Sequence, residues 1–261
     1  MCALPVLAGF LIPVVVLGRL TLIYFDRAWT PEFQVYVFNS VALSTSAAAI
    51  ALTIALFVAY SRRLYGGKIL AFGTRVAALG YAVPGAVLAV GILVPFAAFD
   101  NTVDALLRKY LGISSGLLLS GTVAAVLFAY VVRFLAIAIG QVESSLEKVS
   151  PSMDMAARTL GYRAGQTLVR YHLPLIQGGL LTAAMIVFVD CMKELPATLL
   201  LRPFNFDTVA THVYEFASDE MLGEASLGSL TIVGVGLIPV LLLSRMISRT
   251  RQTLDEDAGP A

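Results

Sequence analysis

Four long windows of this chain carry no charged side chain: Tyr36–Tyr60, Val76–Phe99, Leu111–Val132 and Ala225–Ser244. A helix needs about 20 mostly apolar residues to cross the hydrocarbon of a bilayer, and each window meets that length. Two further windows are long enough but interrupted, Leu4–Phe25 by Arg19 and Leu175–Leu201 by Asp190, Lys193 and Glu194. Inside hydrocarbon the backbone must satisfy its own polar groups, which leaves helices as the reading for such segments. The expected architecture is therefore all-α: an integral membrane six-helix bundle in a single domain, 1–261. The spans fall at about 4–25, 36–60, 72–99, 113–139, 175–200 and 225–246, with a polar segment at about 141–174. A mean hydropathy of +0.84 and 13% charged residues agree with this, since soluble proteins carry about a quarter charged residues.

Several functions are disfavoured by what the chain lacks. Cys2 and Cys191 make neither a disulfide framework nor a metal cluster. His172 and His212 are too isolated for a metal site, which needs three or four ligands in reach. No catalytic residues, bound cofactor or nucleic-acid surface are expected, so the chain does not read as an enzyme, and its first partner is the lipid bilayer. Met1–Pro5 carries no basic residue ahead of the apolar run, so a secretory leader is not expected.

Basic residues set the orientation. With both termini in the cytoplasm, the inner side holds Arg62, Arg63, Lys68, Lys148, Arg158, Arg163, Arg170, Arg245, Arg249 and Arg251, and the outer side Arg27, Arg108, Lys109 and Arg202. The excess on the inner side satisfies the positive-inside rule and puts the 141–174 segment in the cytoplasm.

That segment has the grammar of a short exposed helix. Ser150 before Pro151 suits an N-cap and first helical residue. Met153, Ala156, Ala157 and Leu160 recur at i, i+3, i+4 and i+7, giving an apolar face that small alanines keep open to close approach. Asp154 and Arg158, four apart, are placed to pair on the polar side. Gly161 suits the left-handed position past a helix end, and a second short helix from about Arg163 to Tyr171 would leave Pro174 to open the next span.

Ala156, Ala157, Gly161, Leu173 and Pro174 also carry a resemblance. Their spacing resembles the EAA loop of binding-protein-dependent ABC-importer permeases: Glu-Ala-Ala, three residues, Gly, nine residues, Ile, one residue, Leu-Pro. Met155 stands at the Glu position and Tyr171 at the Ile position. Met192-Lys193-Glu194-Leu195-Pro196-Ala197-Thr198, with Tyr81–Leu93 and Tyr130–Gly140, is similar to ferric-iron importer permeases, in the second half of what is usually a fused two-half chain.

The resemblance implies a type I ABC-importer permease fold in the cell inner membrane and half of a translocation pore. It implies three partners: a cytoplasmic ATPase that binds ATP and docks on Asp154, Ala156, Ala157, Gly161, Leu173 and Pro174; an external or periplasmic substrate-binding protein; and a second permease half, from a companion chain or another copy. Other substrates of such importers, thiamine, sulfate or molybdate, remain open, as does a secondary transporter.

Asp190, Lys193, Glu194 and Pro196 have a physical reading of their own. Ionisable groups at membrane depth face a bundle interior or a water-filled path and find partners. Asp190 can pair with Lys193 at i+3, Glu194 lies near the same face, and Pro196 can kink or end the helix. A lining or gate of a pathway and a structural ion pair near the outer interface both fit. Arg19 and Arg133, near span ends, are expected to extend toward headgroups. Pro84, Gly85, Gly91 and Pro95 suit close packing in the third span.

Overall fold

The computed structural model describes residues 3–257, and every regular element among them is helical. We number the helices α1 Leu7–Ala28, α2 Pro31–Tyr65, α3 Lys68–Ala82, α4 Gly85–Leu111, α5 Val123–Glu147, α6 Pro151–Thr159, α7 Ala164–Met192, α8 Pro196–Leu201, α9 Val209–Ser218 and α10 Leu222–Asp257. Five of these, α1, α2, α4, α5 and α7, are long and apolar enough to cross a membrane. The sixth expected span lies in α10, of which Leu222–Ile238 is a shorter apolar stretch among the described residues.

The chain divides into two compact units, one built from its two ends up to Ser40 and from Asp207, the other from Val41–Phe206. In the terminal unit α1 packs on α10. The Thr21 hydroxyl donates to Ser226 Oγ at 3.0 Å, and Gly223 lies against the Tyr24 ring, where a Cβ would be 2.8 Å from ring carbons. His212 on α9 sits among Phe33, Tyr36 and Phe216, with ring centroids 5.6, 5.2 and 4.7 Å away. Burial among these rings pushes the His212 imidazole below its ordinary value, against the opposing effect of Glu215.

The central unit is built on small residues. Ala47, Ala48, Ala51, Ala55 and Ala59 line one side of α2 and are buried, as are Ala125, Ala129 and Ala138 on α5. Where lipid is as apolar as the protein, such side chains stabilise helix pairs by letting backbones approach and pack. At the closest approach Gly80 of α3 faces the Val132 carbonyl of α5, where any Cβ would collide with the oxygen.

Two expected spans are discontinuous. Over 72–99 the helix breaks at Val83–Pro84, so that α3 and α4 are separate, because proline disfavours a helical conformation in the residue before it and Val83 is extended (φ −77°, ψ 133°). Over 175–200 the helix ends at Met192 and restarts at Pro196. The fourth span begins at Val123, later than 113, because residues 112–122 form a loop over the end of α4. Asp100, 1% exposed, accepts from the Leu119 and Ser120 backbone N–H groups, the latter at 2.8 Å, and from the Ser120 hydroxyl at 2.6 Å. One turn on, Asp104 accepts from the Ser115 N–H at 2.8 Å.

Candidate functional site

Ser150 caps α6 as its spacing predicts, with Oγ accepting from the Ser152 N–H at 3.3 Å and Pro151 in the first turn. At the other end Gly161 adopts φ +83°. The Tyr162 N–H donates to Ala157 O and the Gly161 N–H to Arg158 O, each at 3.0 Å, which is a Schellman closure. The helix is thus bounded at both ends by its own sequence.

What holds it is a network spanning over a hundred residues of sequence. Asp154 does not pair with Arg158. Its Oδ2 takes the Arg63 guanidinium at 2.8 Å and its Oδ1 lies 2.7 Å from His172 Nε2. Arg63, from the end of α2, also donates to Val149 O at 2.8 Å and to Leu146 O, carbonyls at the end of α5, where the helix's own bonding runs out. Beside it the Tyr60 hydroxyl donates to Ala164 O at 2.7 Å, and the Tyr60 ring packs on His172 with centroids 5.5 Å apart. Burial would raise the Asp154 carboxyl, but the hydrogen bonds from Arg63 and His172 outweigh it and hold the group below its ordinary value.

His172 is fully buried, and a π-helical turn puts it there. Leu168–His172 makes the wider turn inside α7, with the Leu173 N–H donating to Leu168 O. Pro174 then follows without breaking the helix, where a second short helix and a fresh start were expected. The added width accommodates a residue that has no N–H and clashes with the carbonyl four back.

The expected apolar face of α6 is divided. Ala157 is 5% exposed and points inward, and Met153 packs on the core of the central unit. Ala156, Met155 at 62% and Leu160 at 73% are exposed. Arg158, Arg163 and Arg170 are exposed around them, while Asp154, the one carboxylate between Ser150 and Pro174, is consumed internally. Leu173 is half-buried and Pro174 exposed.

The second constellation surrounds the two helix breaks. Asp190 and Lys193 pair at 2.8 Å as the spacing predicts, with Lys193 61% exposed. Glu194 departs from their face, because α7 has already ended, and its buried carboxylate turns to Arg133 of α5, Oε2 to Nε at 3.1 Å. This is a charge contact rather than an aligned hydrogen bond, since Arg133 Nε has no hydrogen-bond partner. The guanidinium Nη1 instead donates to Val83 O at 2.9 Å, the carbonyl at the α3–α4 break. Glu194 Oε1 accepts from the Ala197 N–H at 3.2 Å, opening α8. The Tyr130 and Thr198 hydroxyls are 2.6 Å apart and lie 3.2 and 2.8 Å from Glu194 O.

Arg133 is therefore not a headgroup anchor. It lies ten residues from Val123 and fourteen from Glu147, about 15 and 21 Å along the helix, and turns inward to a partner. An ionisable group bounding an apolar window was the signal for it. Arg63, Tyr60 and His172 had no such signal, because their partners are distant in sequence.

Membrane helices broken and packed in this way define the fold of a type I ABC-importer permease. A chain of a bacterial alginate ABC transporter, solved with an alginate-pentasaccharide-bound periplasmic protein, superimposes with a TM-score of 0.74 at 16% identity over 95% of this chain and 93% of that one. A chain of the MetNI methionine ABC transporter in an inward-facing form gives 0.58 at 16% identity, over 84% and 98%. The protein belongs to the family described as the binding-protein-dependent transport system inner membrane component, whose model matches residues 51–252. It is a multi-pass transport permease of the inner membrane, not an enzyme. The Fe(3+)-transport system permease protein FbpB 2 of Haemophilus influenzae is 28% identical over 214 residues, 82% of this chain and 39% of that protein. The putative 2-aminoethylphosphonate transport system permease protein PhnV of Salmonella typhimurium is 24% identical over 213 residues, 82% of this chain and 74% of that one. The chain thus spans about two fifths of its ferric-type relative.

Proposed function

We propose that this permease is one half of the pore of an ATP-driven importer for ferric iron, coupled to a cytoplasmic ATPase through Ser150–Pro174. The observation that carries the coupling is the mounting of α6. Asp154, Arg63 and His172 tie it to the ends of α2, α5 and α7, so a push on the exposed Met155, Ala156 and Leu160 is delivered to three membrane helices at once. The basic rim of Arg158, Arg163 and Arg170 suits a partner groove with an apolar floor and an acidic edge. Met155 at the consensus Glu position fits this, since contact there is apolar. Both termini lie in the cytoplasm by the excess of basic residues on that side.

Each ATPase subunit needs its own docking segment and Ser150–Pro174 is one, so a second permease half, from a companion chain or another copy, completes the pore, with an external binding protein delivering the substrate. ATP is bound by the ATPase, and this chain holds no cofactor. The ferric reading is supported by the Met192–Thr198 run and the resemblance to FbpB 2. A phosphonate is the second reading, because PhnV matches over most of its own length. Co-purification of the tagged permease from membranes tests the assembly: an ATPase and a second permease half, a companion chain or a second copy, are expected, and their absence refutes it. Uptake of radioactive ferric iron, competed by 2-aminoethylphosphonate, separates the substrates.

A further inference from the structure

Two membrane helices of the central unit are discontinuous, and both discontinuities end on one side chain. Arg133 Nη1 takes the Val83 carbonyl at the α3–α4 break, and its guanidinium faces the Glu194 carboxylate at the α7–α8 break. The side chains of Arg133 and Glu194 are 18% and 8% exposed. Gly85 opens α4 against them: a Cβ there would stand 2.6 Å from Glu194 Oε1 and 3.2 Å from Arg133 Nη1. The chain has left room for this pair and for nothing larger.

A charge pair buried among membrane helices is a poor way to gain stability, because desolvation offsets most of the attraction. Its value is positional: while the pair holds, the inner ends of α4 and α8 are fixed to α5. In many transporters discontinuous helices form the substrate site, around which one bundle rocks or gates against another. Arg133 Nε, buried with no hydrogen-bond partner, leaves the contact incompletely satisfied, which keeps the closed arrangement from being an energetic trap.

We propose that Arg133 and Glu194 form a latch that positions α4 and α8 on α5, and that substrate passage requires it to open. Arg133 is a positioning residue, acting through the two breaks. The transport part of this inference rests on the importer reading above; the latch itself does not.

Cys191 gives a direct readout, since it is 2% exposed and its carbonyl accepts from the Glu194 N–H at 3.1 Å. In a Cys2→Ser background the native thiol is the sole cysteine, and maleimide labelling in membranes reports opening. Arg133→Lys keeps the charge but loses the reach to Val83 O, and is expected to label at least fivefold faster than the parent. Glu194→Gln should do the same. Labelling unchanged in both variants overturns the latch.

Uptake by the complete importer, normalised to permease present, tests its role. Arg133→Lys and the double neutral variant Arg133→Gln/Glu194→Gln should transport at least fivefold more slowly, with ATP hydrolysis raised in the absence of substrate. A double variant that transports within twofold of the parent means the charges serve folding alone and overturns the transport role. If the parent importer shows no ATP-driven uptake, the importer reading fails, and Cys191 labelling still decides whether the latch exists.

Discussion

Asp154 Oδ1 and His172 Nε2 lie 2.7 Å apart, joining the first turn of α6 to the π-helical turn of α7. The same carboxylate holds Arg63, so neutralising it leaves a mostly buried guanidinium without its counter-charge, though still bonded to the Leu146 and Val149 carbonyls. Losing one partner of a buried pair costs about 3–5 kcal/mol, and this pair falls below that range because both side chains are still 15% exposed and Arg63 keeps two carbonyl acceptors. Asp154→Asn is expected to lower stability by about 2–3 kcal/mol by this reasoning, measured as a lower thermal midpoint in detergent.

The pH dependence follows from the same group. Folding holds the Asp154 carboxyl below its ordinary value of 3.8, so its stabilising contribution is complete above that value. It is lost as pH falls through the lower folded-state value. The gap in thermal midpoint between the native chain and Asp154→Asn should be constant from pH 7 to about pH 5, and should close in strongly acidic buffer. A gap that widens on acidification would contradict the assignment.

Ala156 and Ala157, adjacent in sequence, should respond oppositely to arginine. Ala157 is buried, so Ala157→Arg forces a charge into the base of α6 and should reduce the amount of permease in the membrane. Ala156 is exposed, so Ala156→Arg should leave abundance and thermal midpoint unchanged while reducing ATPase co-purification several-fold. Immunoblots of membranes and of the purified complex distinguish the two.

Gly161 carries φ +83°, where an L side chain meets the following carbonyl at a cost of about 1–2 kcal/mol. Gly161→Ala should destabilise by about 1 kcal/mol and Gly161→Asn by less. Gly161→Pro forbids the conformation and removes the N–H given to Arg158 O, and should abolish transport with the protein still inserted.

Asp190 and Lys193 pair, but Lys193 is largely exposed. A double-mutant cycle with Lys193→Leu and Asp190→Asn is expected to show coupling below about 1 kcal/mol. Lys193→Leu should impair transport more than stability, with partial relief by Asp190→Asn.

The helices were legible because hydrocarbon imposes length and apolarity directly on sequence. So were Ser150 and Gly161, whose capping chemistry is local, and the Asp190–Lys193 pair, which lies within one turn. Asp154 was misassigned to Arg158 because the nearest opposite charge in sequence is not the nearest in space: Arg63 is ninety-one residues away. Glu194 was kept on the Asp190 face by an assumed continuous helix, although Pro196 already marked its end. Arg133 was read as an anchor through its place at the edge of an apolar window, and only packing brings it to Val83 O and Glu194.

The π-helical turn at Leu168–His172 has a consequence for how the segment can change length. It holds one residue more than the α-helical turn it replaces, so deleting a single residue there would restore ordinary winding and leave the following helix close to its present orientation. Ile176, Ala183 and Val187 would stay buried, and the loss would fall on the turn itself, where Asp154 would lose His172. Among the described residues, the side-chain ties of the loop at 112–122 run to Asp100 and Asp104 of the helix it follows and join no second membrane helix. Natural variation in length is therefore expected to accumulate in that loop, while the count of residues between Asp154 and His172 stays fixed.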